Sequence, residues 1–252
     1  MSENPMTGHP LSFAGRTDIG RSRRRNEDAF FAGSLPGGEG WTLLAVADGL
    51  GGHARGDWAS ARALELLAAE LGPLVEAHGA DRGLREAIHH INWSIRSEAR
   101  AMEAYGAATT LVLALFHGGE YWWLNVGDSR LYSYRVEGMR QVSTDHSWVA
   151  EQVAAGLLAP EDARRHPNRN VVTRTVGFDP DVVPDVAGPI QLAPGETLLA
   201  CSDGLFGPVE DADIAAVLAE SQPEEACRKL IELANEAGGP DNITVVVGRP
   251  LS

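Results

Sequence analysis

The chain has 252 residues, 44% of them hydrophobic and 22% charged, which are ordinary globular proportions and enough length for one substantial core. Its formal net charge of −14 makes it a poor general binder of nucleic acid or of anionic lipid. If the substrate is itself an anion, some local feature has to supply positive charge.

Residues 1–10, MSENPMTGHP, have no basic stretch followed by an apolar one. They do not read as a secretory leader and are expected to be a disordered tail ahead of one domain over 11–250. No window is long and apolar enough for a membrane span. RTDIGRSRRRNEDAF (16–30) is a basic run that leads into a strand at its Phe end, and WTLLAVA (41–47) reads as a buried strand running into a glycine-rich loop. A helix is expected from Ala59 to Leu71, with Leu64, Leu67, Ala68 and Leu71 on one face and Gly72-Pro73 as its stop. A second helix is expected after Asp81 as N-cap, with Leu84, Ile88, Ile91, Ile95 and Met102 as its stripe. TTLVLALF (109–116), EYWWLNV (120–126) and RLYSYRV (130–136) are strands joined by short Gly-containing turns, which implies antiparallel neighbours. The segment 144–180, rich in Arg, Asn, Pro and His, reads as a short helix near Trp148–Ala155 followed by an irregular lobe. TLLACS (197–202) and ITVVVG (243–248) are further strands, with helical patterns at about 209–220 and 223–237 between them. Grouped strands with grouped helix pairs argue an α+β fold, helices packed outside antiparallel sheets. No linker or repeat divides the chain. Cys201 and Cys227 are the only cysteines. The absence of CxxC argues against a disulfide framework or thiolate metal site and fits a reducing cytoplasm, and the absence of HExxH disfavours catalytic zinc.

Four aspartates sit where apolar strands end or begin. Asp48 follows WTLLAVA, Asp128 follows EYWWLNV, Asp203 follows TLLACS and Asp241 precedes ITVVVG. Any one Asp-Gly is more often a turn than a ligand. Four together, at the ends of strands that lie side by side, would converge. Converging carboxylates repel unless something positive sits among them, and Mg²⁺ or Mn²⁺ is the usual partner of an oxygen-only donor set. Two such ions a few ångströms apart can activate a bridging water for in-line attack on phosphorus and make an acidic protein attractive to phosphate.

The run at 16–30 carries five arginines, and a guanidinium entering a carboxylate-rich site can grip phosphate bidentately. Alternation in a strand would give Arg21, Arg23 and Arg25 one face and Arg24 the other, without choosing among them. His53, five residues after Asp48, is a candidate general acid for a leaving alkoxide, against the plainer reading of a histidine with no special role. Gly49-Leu50-Gly51-Gly52-His53-Ala54 formally matches GxGxxA. Three features oppose a dinucleotide site: Asp48 beside the would-be pyrophosphate, no strand-end acid about 20 residues on, and no second strand until Thr109. GxxxxGK[ST] is absent, which excludes a P-loop.

The ordered elements RTDIGRSRRRNEDAF, AVADGLGGHARGDWAS, ATTLVLAL, NVGDSRLY, STDHSWV, LLACSDGL and GGPDNITVVV span about Phe13 to Arg249. In conjunction they resemble the metal-dependent protein phosphatases (type 2C serine/threonine phosphatases), in particular the bacterial stand-alone members. The resemblance implies a four-layer sandwich of two antiparallel sheets flanked by helix pairs. It also implies two Mg²⁺ or Mn²⁺ ions, with a weaker third. Asp48 then looks like the carboxylate that bridges both metals, the Gly49 carbonyl like a ligand of one, and Asp203 and Asp241 like ligands of the other. Glu27 looks like an outer partner acting through water, with Asp28 beside it. Arg23 matches the family's phosphate-binding arginine, Asp128 the residue that holds the third ion with Asp203, and His53 the histidine of the Gly-Gly-His loop; Asn242 and Ser202 look like support. Departures are mild: DGLGGH where many members have DGMGGH, and GAATT where many have MGTT. Segment 144–180 matches the variable flap, whose Arg164, Arg165, Arg169 and Arg174 are candidate contacts to phosphosubstrate.

The expected function is a cytoplasmic, monomeric, Mg²⁺/Mn²⁺-dependent phosphatase of phosphoserine and phosphothreonine, opposing a bacterial Ser/Thr kinase. A metal-bridging hydroxide attacks phosphorus directly, without a phosphoenzyme. Its partners are phosphorylated proteins, the kinase among them, and neither nucleic acid nor membrane. The rivals are an inactive relative that serves as a binding module, which the intact ligand positions oppose, and a phosphatase dedicated to one regulatory phosphoprotein.

Overall fold

The computed structural model describes residues 11–50 and 55–251. The expected tail and His53 lie outside those residues. Two antiparallel sheets face each other. One runs β1 (Leu11–Asp18), β11 (Ile243–Pro250), β10 (Thr197–Cys201), β7 (Arg130–Arg135) and β8 (Gly138–Gln141). The other runs β2 (Asp28–Ser34), β3 (Thr42–Leu50), β5 (Leu111–His117), β6 (Glu120–Val126) and β9 (Asp185–Gln191), with β4 (Ala108–Thr109) pairing to the end of β3.

Both faces of each central strand are covered, which is why these strands are apolar without interruption. Leu44 and Val46 of β3 meet Val112 and Ala114 of β5, Leu198 and Ala200 of β10 and Val246 of β11 in the core between the sheets. Their neighbours Leu43, Ala45 and Ala47 point the other way, into a core shared with α1 (Gly56–His78) and α2 (Ala80–Ala101). Leu199, Cys201, Val245 and Val247 turn outward on the other sheet, into a core closed by α5 (Asp203–Phe206), α6 (Asp211–Glu220) and α7 (Pro223–Glu236). Three cores between four layers make the expected sandwich. Both cysteines are free and buried, and no helix among the described residues is long and apolar enough to cross a membrane.

Two helix boundaries differ from the sequence reading. Gly72-Pro73 does not stop α1, which continues to His78 and ends at Gly79 with φ 78°. Gly72 is there for close packing: a Cβ would collide with the Pro36 carbonyl and the backbone of Gly37 and Gly38. Asp81 does not cap α2; Gly79 is the N-cap, and Asp81 lies in the first turn, 3.2 Å from Arg85. Chain 144–180 holds α3 (Trp148–Ala154) and α4 (Pro160–Ala163), and otherwise turns.

A candidate binuclear metal site

The site forms where β3, β10 and β11 approach one end of the sandwich. Asp28 of β2 stands directly opposite Asp48 of β3. β3 passes three residues beyond its expected end, to Leu50, because Gly49 and Leu50 pair with β4. The two threonines around that junction fix Asp48. The Thr110 hydroxyl accepts from the Asp48 N–H (3.0 Å), while the Thr109 hydroxyl donates to the Asp48 carbonyl (2.9 Å). Only glycine fits at position 49, since a Cβ would strike the Gly56 and Glu27 carbonyls. Asp203 opens the short turn α5 directly after Ser202, whose hydroxyl donates to Asp28 Oδ2 at 2.7 Å and accepts from the Thr244 N–H at 3.0 Å.

Arg23 lies not in a strand but in the loop after β1, so the alternation argument does not apply. Asn242 shapes that loop. Its Oδ1 accepts from the Glu27 N–H (2.9 Å), and its Nδ2 donates to the carbonyls of Ile19 and Arg25 (3.0 Å each). Gly20, at φ 78°, lets the loop pass against the Asp241 carbonyl. The result separates the arginines: Arg25 pairs with Asp57 (3.2 Å), whereas Arg23, its side chain half exposed, bonds Asp241 Oδ2 at 2.6 Å.

Arg23, Glu27, Asp48, Gly49, Asp128, Asp203 and Asp241 thus line a single pocket of about 180 Å³. Asp28 sits behind it, with Oδ1 buried and without a hydrogen-bond partner. One guanidinium faces five carboxyl groups across the pocket. Burial pushes the Asp48 carboxyl well above the ordinary range, and the charges of Asp28, Asp203 and Asp128 push it further. Burial, then Asp128 and Asp241, does the same to Asp203. Asp128 is pushed up to about 7 by burial and the nearby Asp145, and Asp28 to about 6 chiefly by burial. Glu27 is raised by burial and by Asp57. This is the chemistry of a hard-cation site: oxygen donors only, too much negative charge for one arginine, and a buried carboxylate oxygen with no proton donor. Among the described residues no three of these groups close tightly enough to clasp an ion unaided.

Three contributors escaped the sequence reading. Thr110 acts through Asp48, 62 positions away, and Asn170 reaches the pocket from the 144–180 segment together with Val172. His146 lies in the STDH motif. The Gly127 N–H donates to its Nδ1 (3.1 Å), so Nε2 carries the proton and meets Asp185 Oδ2 at 3.2 Å. His146 thereby braces the turn that presents Asp128.

Residues 15–236 match the family model for protein phosphatase 2C. The chain belongs to the protein phosphatase 2C family. With that membership comes the enzyme class expected from the motifs, a serine/threonine protein phosphatase. This phosphatase is 37% identical over 238 residues to the serine/threonine phosphatase stp of Listeria innocua, covering 92% of this chain and 93% of that one. The serine/threonine phosphatase of S. agalactiae superposes with a TM-score of 0.88 at 32% identity, covering 96% of this chain and 100% of that one. The catalytic domain of the phosphatase PstP, solved in complex with two manganese ions, gives 0.80 at 33% identity, covering 96% of this chain and 99% of that one.

Proposed function

We propose that this phosphatase holds two Mg²⁺ or Mn²⁺ ions on Asp48, the Gly49 carbonyl, Asp203 and Asp241. Glu27 and Asp28 support them, and Asp128 offers a weaker third place beside Asp203. The observation that carries this reading is the single guanidinium among five carboxyl groups in one pocket. The relative solved with two manganese ions supports it too. When bound, such ions supply Lewis-acid chemistry, lowering the pKa of water and offsetting charge on phosphate.

Arg23 binds the phosphoryl oxygens with its forked donors. Asn242 fixes the loop that aims it, and Asp241 braces it from one side. Water attacks phosphorus directly, and no phosphoenzyme forms. His53 is assigned the protonation of the leaving serine or threonine alkoxide. The substrates are phosphoserine and phosphothreonine proteins, and the cellular role is to oppose a Ser/Thr kinase. Residues 11–250 form one catalytic domain, with 144–180 as a flap whose Asn170 and Val172 border the site.

Calorimetric titration with Mn²⁺ tests the ligand assignment without relying on turnover. Wild type should take up two ions, Asp203→Asn should lose one, and Asp48→Asn should lose both. Undiminished uptake by Asp48→Asn overturns the assignment.

A further inference from the structure

Beside the carboxylate pocket lies a second one of about 140 Å³, and the two share Asp128, Asn170 and Asp203 as a common wall. Its outer side is the 144–180 segment, pinned to the sandwich at both ends. Before α3 the His146 N–H donates to the Gly127 carbonyl (2.9 Å), and beyond α4 Val176 bridges to Thr109 of β4. At the α4 end, Arg164 donates to the carbonyls of Phe206 (2.9 Å) and Val209 (3.2 Å) and pairs with Glu210. The cavity therefore exists before anything enters it, which lowers the ordering cost of a guest.

We propose that this second pocket takes a side chain flanking the phosphorylated residue, and that Arg169 selects an acidic one. The proposal rests on the reading of the neighbouring pocket as the catalytic centre. A phosphoprotein whose phosphate sits there has adjacent residues within reach of the shared wall. The charges facing the second pocket then decide what suits it. Arg130 is occupied, held by Asp145 at 2.7 Å and laid over the Phe206 ring at 3.8 Å. Arg164 is occupied by Glu210 and two carbonyls. Asp145 is answered by Arg130, and Asp128 and Asp203 belong to the metal side. Among the described residues, Arg169 is the one cation of this lining whose side chain has no ion pair or hydrogen bond. Val149, Ala163 and Phe206 give the same lining apolar surface. A guest with an aliphatic stem and an anionic head, such as glutamate, satisfies both parts. The guanidinium of Arg169 in this lining gives an acidic guest its charge complement.

The test is a peptide scan with the full chain in Mn²⁺. One phosphothreonine peptide with alanine flanks serves as reference; Glu, Lys or phosphoserine replaces each flanking position in turn, and phosphate release is measured. At one position Glu should exceed Lys in kcat/KM by about fivefold, the scale of an exposed ion pair. Arg169→Ala should erase that gap, and Arg169→Glu should invert it in favour of Lys, an inversion that a merely structural role for Arg169 would not produce. A flat scan in wild type, or a Glu preference that survives in Arg169→Glu, overturns the proposal. A gain with phosphoserine but none with Glu also overturns it, since the selected anion would then be a second phosphate. Hydrolysis of the alanine peptide with a flat scan removes the subsite alone, whereas no hydrolysis of any peptide removes the catalytic reading and the subsite with it.

Discussion

Asn242 directs all three of its side-chain hydrogen bonds to the loop that carries Arg23. Asn242→Ala leaves one amide N–H and two carbonyls of that loop without this partner. We expect a stability loss of about 1–3 kcal/mol. Since Arg23 loses its aim, KM for phosphopeptide should rise more than kcat falls; no change in either means the loop is held by other contacts. Asp48→Asn should behave in the opposite way. It removes a carboxyl whose ionisation burial and its neighbours disfavour, so in chelator the melting temperature should hold or rise while turnover in Mn²⁺ falls by at least about a thousandfold. The aspartates were legible in the sequence because a carboxylate next to glycine or serine at the end of an apolar run shows in one dimension. Thr110, Asn170 and His146 were not. Thr110 matters through Asp48, 62 positions away, and His146 through Gly127, 19 positions away. Nothing local marks such pairings. Alternation could not choose among the arginines because their loop has no period at all; the choice came from the family pattern.

At the scale of elements, α1 shows where local rules lose to packing. A Gly-Pro pair reads as a helix stop, yet α1 runs through it for another turn. Gly72 meets the backbone of the 36–38 loop too closely for any side chain. Gly72→Ala gains about 1 kcal/mol of helix propensity but forces backbone against backbone, an overpacking cost of about 1–3 kcal/mol. The net effect should be destabilising, read as a lower urea midpoint at unchanged slope; a stabilised variant would show that the loop yields freely. The central strands were legible as unbroken apolar runs, which two covered faces require. β8, of four residues, and β9, with a Gly-Pro inside it, offer too little apolar pattern to be recognised. Each pairs at a sheet edge, β8 to β7 and β9 to β6, where few side chains need burying.

At the scale of the whole molecule, the carboxylate cluster couples stability to pH and to metal. Asp28 and Asp128 titrate near 6 and 7 in the folded chain, and Asp48 and Asp203 are also raised, whereas all would titrate near 3.8 in the unfolded chain. Between about pH 4 and 7 the folded protein therefore holds more protons than the unfolded one. The cluster's contribution is best below that window and declines as pH rises through it. In chelator, wild type should lose melting temperature relative to Asp128→Asn on going from pH 5 to pH 8. Mn²⁺ binds the ionised groups, so the stabilisation it confers should grow over the same range. Equal Mn²⁺ shifts at both pH values would detach the cluster from metal binding.

The most direct measurement is phosphate release from a phosphothreonine peptide by the full chain, in Mn²⁺ and in excess chelator, with Asp48→Asn alongside. Turnover that appears with Mn²⁺, vanishes with chelator, returns on adding the metal back and is missing from a folded Asp48→Asn is the expected result. Hydrolysis that persists in chelator, or undiminished in Asp48→Asn, would contradict a metal-dependent phosphatase built on these carboxylates.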